Sequence, residues 1–240
     1  PTPCPPDPSL PVDDRRYSSL PVKEIVAAVS RAPFPVDPFV DDKYFAGRFL
    51  CEFMGYHVTW YHALNSAPYV QDGILAAGFI HVSQSLGLAN SIQATDITLR
   101  TVIDYLSQPL VAHARVITVQ AGGALAFHLD AGPAHAARGY WLLGSVSGTR
   151  PGLAIPGSKA VLPLNWDPFT EVLVRLTNTS YCDRFLGALD AQGRGLAILR
   201  HRGAMPPSMA GAALDFAYVL FPGSGRGWFV SNPLEVTVVP

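Results

Sequence analysis

The segment PLVAHARVITVQAGGALAFHLD, residues 109–130, is where the chain changes texture. Pro109 closes an apolar periodicity of helical type. Beyond it Arg115–Gln120 and Leu125–Asp130 are short runs rich in β-formers, divided by Gly122-Gly123 as in a hairpin. The rhythm continues through Tyr140–Val146, Lys159–Leu164, Glu171–Thr177, Phe185–Leu189, Gly195–Arg200, Ala213–Phe221 and Trp228–Val239. These nine runs recur about every 10–13 residues with Gly, Pro, Asn or Asp between them, which predicts an antiparallel sandwich over 111–240. Gly144, Gly148, Pro151 and Gly152 mark a tight excursion needing positive φ, and Asp190–Gly193 reads as a hairpin connection with Gly193 left-handed. Trp141, Trp166, Phe169, Phe216, Tyr218 and Trp228 are the large pieces expected in the core.

Upstream, 23–110 reads as mostly helical. Ile25, Val26 and Val29 form one stripe in Lys23–Arg31, before Pro33, Pro35 and Pro38 break the helix. Tyr44, Phe45, Phe49, Phe53 and Met54 follow Asp41-Asp42 at helical spacing. A further helix is expected over Val70–Leu86, weakened by Gly73 and Gly78. Thr95-Asp96 reads as the cap of another that carries Leu99, Val102, Ile103 and Leu106. Residues 1–22, with seven prolines and three aspartates, read as an extended arm lying on the surface or on a neighbour. The fold class expected is thus α+β, with an arm, a helical region and a β-sandwich in that order.

Composition narrows the function classes. The 240 residues are 49% hydrophobic and 15% charged, so a real core is available and general disorder is excluded. A net charge of −1 leaves no electrostatic footprint for nucleic acid or an anionic membrane. The longest apolar run, Gly73–Val82, is half the length of a membrane span. Charge divides near Pro109, −4 before residue 111 and +3 after it. The sequence starts at Pro1, which is the expectation for a mature form whose export signal has been removed. Cys4, Cys51 and Cys182 allow one disulfide at most. In an oxidising compartment Cys4 would bridge to Cys51 or Cys182, stapling the arm; otherwise all three are thiols, with Cys51 buried.

Catalytic motifs are incomplete. In Gly144-Ser145-Val146-Ser147-Gly148 the serines fall at the wrong offsets for a nucleophile elbow. Gly223-Ser224-Gly225-Arg226-Gly227 has a phosphate loop's composition without its lysine, and reads as a strand connection. The densest polar constellation is Cys51, Glu52, His57, His62, Asp72 and His81. His57 and His62 lie about 140° apart on a helix, so a metal site would need His57 or His62 joined by Asp72 and His81 through tertiary folding. The same histidines serve equally as core hydrogen-bonders. Trp60, Tyr61, His62 and Tyr69, with His57, offer an aromatic recognition surface for a sugar or a protein, or ordinary packing material. His128 and Asp130 share one face of a strand, with His135 nearby, and no activated nucleophile accompanies them.

Five segments occur in order: LDAGPAHAARGYWLLGSVSGTRPG (129–152), LPLNWDPFT (162–170), FLGALDAQGRG (185–195), MPPSMAGAALDFAYVLF (205–221) and VSNPLEVTVVP (230–240). Together they resemble a C-terminal module of secreted planctomycete and myxobacterial proteins. The resemblance spans about 112–240 and implies export, to the extracellular space, cell surface or periplasm, and an immunoglobulin-like sandwich. It implies no chemistry.

The function expected is therefore that of a non-enzymatic exported protein, a structural or assembly subunit or a binding module. It has no cofactor, its partners are other protein subunits, and the arm and open sheet edges are its contact elements. The alternatives are a secreted hydrolase or metal-dependent enzyme with its site in 44–105, and a carbohydrate-binding module.

Overall fold

Ile25 and Val29, one helical turn apart, are buried while Lys23 and Glu24 before them and Ala27 between them face water, and this alternation builds α1 (Val22–Val29). The computed structural model describes residues 16–41, 50–66, 73–120, 122–203, 205–223 and 225–240. Cys4, most of the arm, Tyr44, Phe45, Phe49, Tyr69 and Asp72 lie outside the described residues. Those residues form two units, one ending at Ser107 and the other running from Gln108 to Pro240.

The first unit holds α1, α2 (Leu50–Ser66) and α3 (Leu88–Leu106), and α1 packs on α3. Two expectations fail here. Among the described residues, Gly73–Ser83 forms no helix or strand, and only Gln84–Leu86 makes a single 3₁₀ turn. At Ala77 the backbone is satisfied sideways: Ser19 N–H donates to the Ala77 carbonyl at 2.9 Å, and the Ala77 N–H donates to Ser19 Oγ at 2.7 Å. Asp96 is no cap either. α3 starts two turns earlier, after Gly87, and Asp96 lies inside it, paired with Arg100 one turn on at 2.7 Å.

The second unit is a mixed body of antiparallel sheets with one helix. Its strands are β1 (Leu110–Ala112), β2 (Val116–Thr118), β3 (Gly123–Asp130), β4 (Gly139–Ser145), β5 (Leu153–Ala154), β6 (Val161–Leu162), β7 (Cys182–Asp183), β8 (Leu186–Ala188), β9 (Arg194–His201), β10 (Ala213–Leu220), β11 (Phe229–Val230) and β12 (Leu234–Val239), with α4 (Pro168–Leu176) after β6. One sheet runs β1-β3-β9-β7, a second β2-β12-β10-β4-β8 with β11 beside β10, and β5-β6 pair alone. Every pairing is antiparallel except β2 on β12. Phe127 of β3 meets Phe216 of β10 with ring centroids 4.6 Å apart and Phe185 at 6.0 Å. Leu125, Phe127 and Leu129 thus bury the inner face of one sheet against Leu214, Phe216 and Leu220 of the other. The far side of β4 and β10 is covered by Ile155, Leu162 and Leu164 on Leu143, Ala217 and Val219.

Gly122-Gly123 does not close a hairpin. The run before it becomes β2, which pairs with β12, while the run after it pairs with β1 and β9. The chain changes sheet there, as it already does between β1 and β2, where Arg115 donates from Nε to the Glu235 carbonyl at 2.8 Å. Asp190–Gly193 does turn as expected, with Gly193 at φ 79° and Arg194 N–H bound to the Asp190 carboxylate at 2.8 Å, yet its flanking strands β8 and β9 also belong to different sheets. A side chain at Gly193 would collide with the Gly132 backbone.

Glu171–Thr177, expected as a strand, lies in α4 up to Leu176, with Thr177 just past the helix end. Asp167 caps it by accepting from Thr170 N–H at 2.9 Å, the Thr170 hydroxyl answers the Asp167 N–H, and Pro168 starts the first turn. This cap outweighs the β-preference of Val172 and Val174. Of the expected core pieces, Phe216 and Tyr218 are fully buried and Trp166 is 49% exposed. Of the two described cysteines, Cys182 and not Cys51 is the buried one, and both are free thiols.

Candidate interaction surface

Among the described members of the polar constellation, the three histidines take separate roles. His62 is buried and fastens chain segments: its Nε2 lies 3.4 Å from Ser19 Oγ, and its carbonyl accepts from Ser66 Oγ at 2.6 Å. Burial pushes its pKa below the usual 6.5, although hydrogen bonds with Ile74 and Leu75 act the other way. His57 stacks on Phe53 at 4.1 Å, and His81 is exposed beside Phe79. Among the described residues no three His, Cys, Asp or Glu side chains gather where a metal ion could sit.

The aromatic surface also divides. Trp60 has no exposed area, and the Arg16 guanidinium covers its ring at 4.1 Å, so it offers no face to a ligand. Tyr61, next to it in sequence, is 61% exposed. A 100° step per residue turns one inward and the other out.

What the unit presents instead is aliphatic. α3 buries Ala94, Thr98 and Tyr105, while Leu88, Ile92, Leu99, Ile103 and Leu106 stay in water, Leu88 at 79% exposure. Its larger aliphatics therefore point outward, where an ordinary surface helix would bury them. α2 buries Trp60, His62 and Ser66 and likewise leaves Leu50, Phe53, Met54, Tyr61 and Leu64 exposed. Shallow apolar grooves follow both stripes, one along Met54, His57, Val58, Tyr61 and Leu64, the other along Val82, Ile92, Thr95 and Leu99. Scattered exposed leucines are ordinary; contiguous stripes mark contact surfaces. The sequence carried this signal in the spacing of Leu99, Ile103 and Leu106. Periodicity places these residues on one face of the helix but does not say what lies against that face.

Polar clusters of the second unit serve the scaffold. Asp167 Oδ2 accepts from Ser145 Oγ and Val146 N–H at 2.7 Å, Ser147 Oγ at 2.8 Å and Ser147 N–H at 2.9 Å, so those serines hold a loop. Arg138 donates to the Phe221 and Gly227 carbonyls at 2.7 and 2.6 Å, clamping the glycine-rich 221–227 connection. Its Nη1 lies 2.7 Å from His135 Nδ1; a guanidinium only donates, so that imidazole is neutral with its proton on Nε2. His128 is buried with no partner at Nδ1, whereas Asp130 is exposed and accepts from Gly132 N–H at 2.9 Å, so the two form no catalytic pair.

Comparison with protein-family models, with curated proteins and with solved structures gave no match. No helix among the described residues is long and apolar enough to cross a membrane.

Proposed function

We propose that this protein is a non-enzymatic component of a larger assembly, in which a β-rich scaffold carries a helical unit that docks onto protein. The observation that carries the reading is the outward aliphatic stripe of α3, reinforced by that of α2. Export is supported by the five ordered segments of 129–240 that resemble secreted modules.

An immunoglobulin-like scaffold is supported by strand order. β1-β3-β9-β7 follows the A-B-E-D order of such domains, and β2-β12-β10-β4-β8 follows their second sheet, with β1 and β2 dividing the first strand between the two. Phe127 and Phe216 occupy the strands where antibody domains place their paired cysteines. The departure is that β7 precedes β8 in the chain.

The test is the native mass of the particle purified from its host, with co-purifying chains identified, for wild type and for Leu99→Asp and Phe53→Asp. The reading requires a mass above the 25.7 kDa of one chain that falls with either substitution at unchanged circular dichroism. A lone chain, indifferent to both, refutes it.

A further inference from the structure

We propose that the occupant of the α3 stripe is α3 of a second copy of this chain, packed antiparallel about a two-fold axis; this rests on the docking role proposed above. The stripe has seam spacing: Leu88, Ile92, Thr95, Leu99, Val102 and Leu106 alternate steps of four and three residues, the pattern of helices that pack side by side. It is also nearly palindromic about position 97. An antiparallel copy sets Leu88 against Leu106, Ile92 against Val102 and Thr95 against Leu99, each contact occurring twice as a two-fold interface demands. Charges agree with that register. In that register the counterparts of Asp96, Arg100 and Asp104 are Thr98, Ala94 and Asn90, the first two turned into their own unit, so no charged group meets its like across the seam. Antiparallel packing also sets each helix dipole against the other's opposite end.

Area is sufficient. Leu88, Ile92, Leu99 and Leu106 of the seam, with Ile103 on its flank opposite Ser91, are exposed at 79%, 60%, 56%, 39% and 61% and present on the order of 500 Å² of apolar surface per copy. Two copies remove roughly 1,000 Å², and the flanking polar rows bring the total to the ~1,200 Å² where specific interfaces begin.

The experiment uses the full chain alone, by light scattering and sedimentation over a concentration series. The expected wild-type mass is twice 25.7 kDa. Leu99→Asp, at an exposed site, weakens dimerisation by roughly a hundredfold with far-ultraviolet circular dichroism unchanged. Leu88→Glu and Leu106→Lys are each monomeric, and mixing the two restores a dimer, because only the antiparallel register sets Glu against Lys at one end and Leu against Leu at the other. A monomeric wild type, a dimer unmoved by Leu99→Asp, or no recovery on mixing overturns the proposal. A host particle that instead holds a different chain, lost on Leu99→Asp, overturns the self-pairing and leaves the docking role standing.

Discussion

Asp167→Asn preserves shape and removes one charge and one acceptor at the junction of β4, the 146–152 loop and α4. In the native protein Oδ2 takes four hydrogen bonds from Ser145, Val146 and Ser147, and Oδ1 takes the Thr170 N–H. An asparagine amide has one acceptor oxygen. Facing the loop with its NH₂, it opposes the N–H groups of Val146 and Ser147; turned around, it opposes that of Thr170. A buried donor left unmet costs about 1–3 kcal/mol, and the remaining bonds lose their charge assistance, so we expect about 3 kcal/mol of destabilisation. For a unit of this size that lowers Tm by roughly 10 °C. The assay is calorimetric melting at pH 7, with Asp190→Asn in an exposed turn as a control expected to cost under about 1 kcal/mol. Acid adds a second readout. Burial opposes ionisation of Asp167, but hydrogen bonds from Thr170, Ser145, Ser147 and Val146 outweigh it and hold the carboxyl well below the usual 3.8. Its contribution is therefore complete above pH 3.8 and is lost as the pH falls through the depressed value; Asp167→Asn flattens that acid limb. Equal melting of the two variants, within about 1 kcal/mol, would refute the carboxylate tie.

Four further outcomes are expected. A Cβ at Gly144 would lie 2.8 Å from Leu173 Cδ1 and 2.9 Å from Phe216 Cε1, so Gly144→Val destabilises by about 1–3 kcal/mol or more in urea titrations, and a neutral result contradicts the packing of α4 on β4. Burial lowers the His128 pKa to about 4 from 6.5, so the unfolded chain takes up the proton first as pH falls. Stability then drops by about 3 kcal/mol between pH 6.5 and 4; His128→Leu removes that drop, and an imidazole titrating normally by NMR denies it. Trp60→Ala lowers stability by about 3–5 kcal/mol while Tyr61→Ala changes it by less than about 0.5, with urea midpoints separating the two. His135 titrates below 6.5, through burial and then the charges of Arg138 and Arg226, and replacing Arg138 by Gln moves its NMR titration upward.

Much of the local structure was legible in the sequence. Lys23–Arg31 held a helix, and the runs that became β3, β4, β9, β10 and β12 were each visible, because alternation and turn residues act within a few positions. The misreadings share one cause, a competition settled outside the segment. Val172 and Val174 favoured a strand until Asp167 found five donors, three of them on a neighbouring loop. Gly73–Val82 was apolar enough for a helix, yet the Ala77 backbone bonds to Ser19 instead of to its own turn. Trp60 and Tyr61 were indistinguishable as surface candidates until Arg16 and the helix phase placed one beneath the surface.

By itself the sequence determined the division near Pro109, helical before and β-rich after, because proline, glycine and side-chain periodicity restrict each backbone locally. Only the tertiary structure decided which strands share a sheet and which aliphatic stripe of α3 meets water. Those depend on contacts between residues far apart in the chain, such as β2 with β12 or Phe127 with Phe216, and no local pattern encodes the partner.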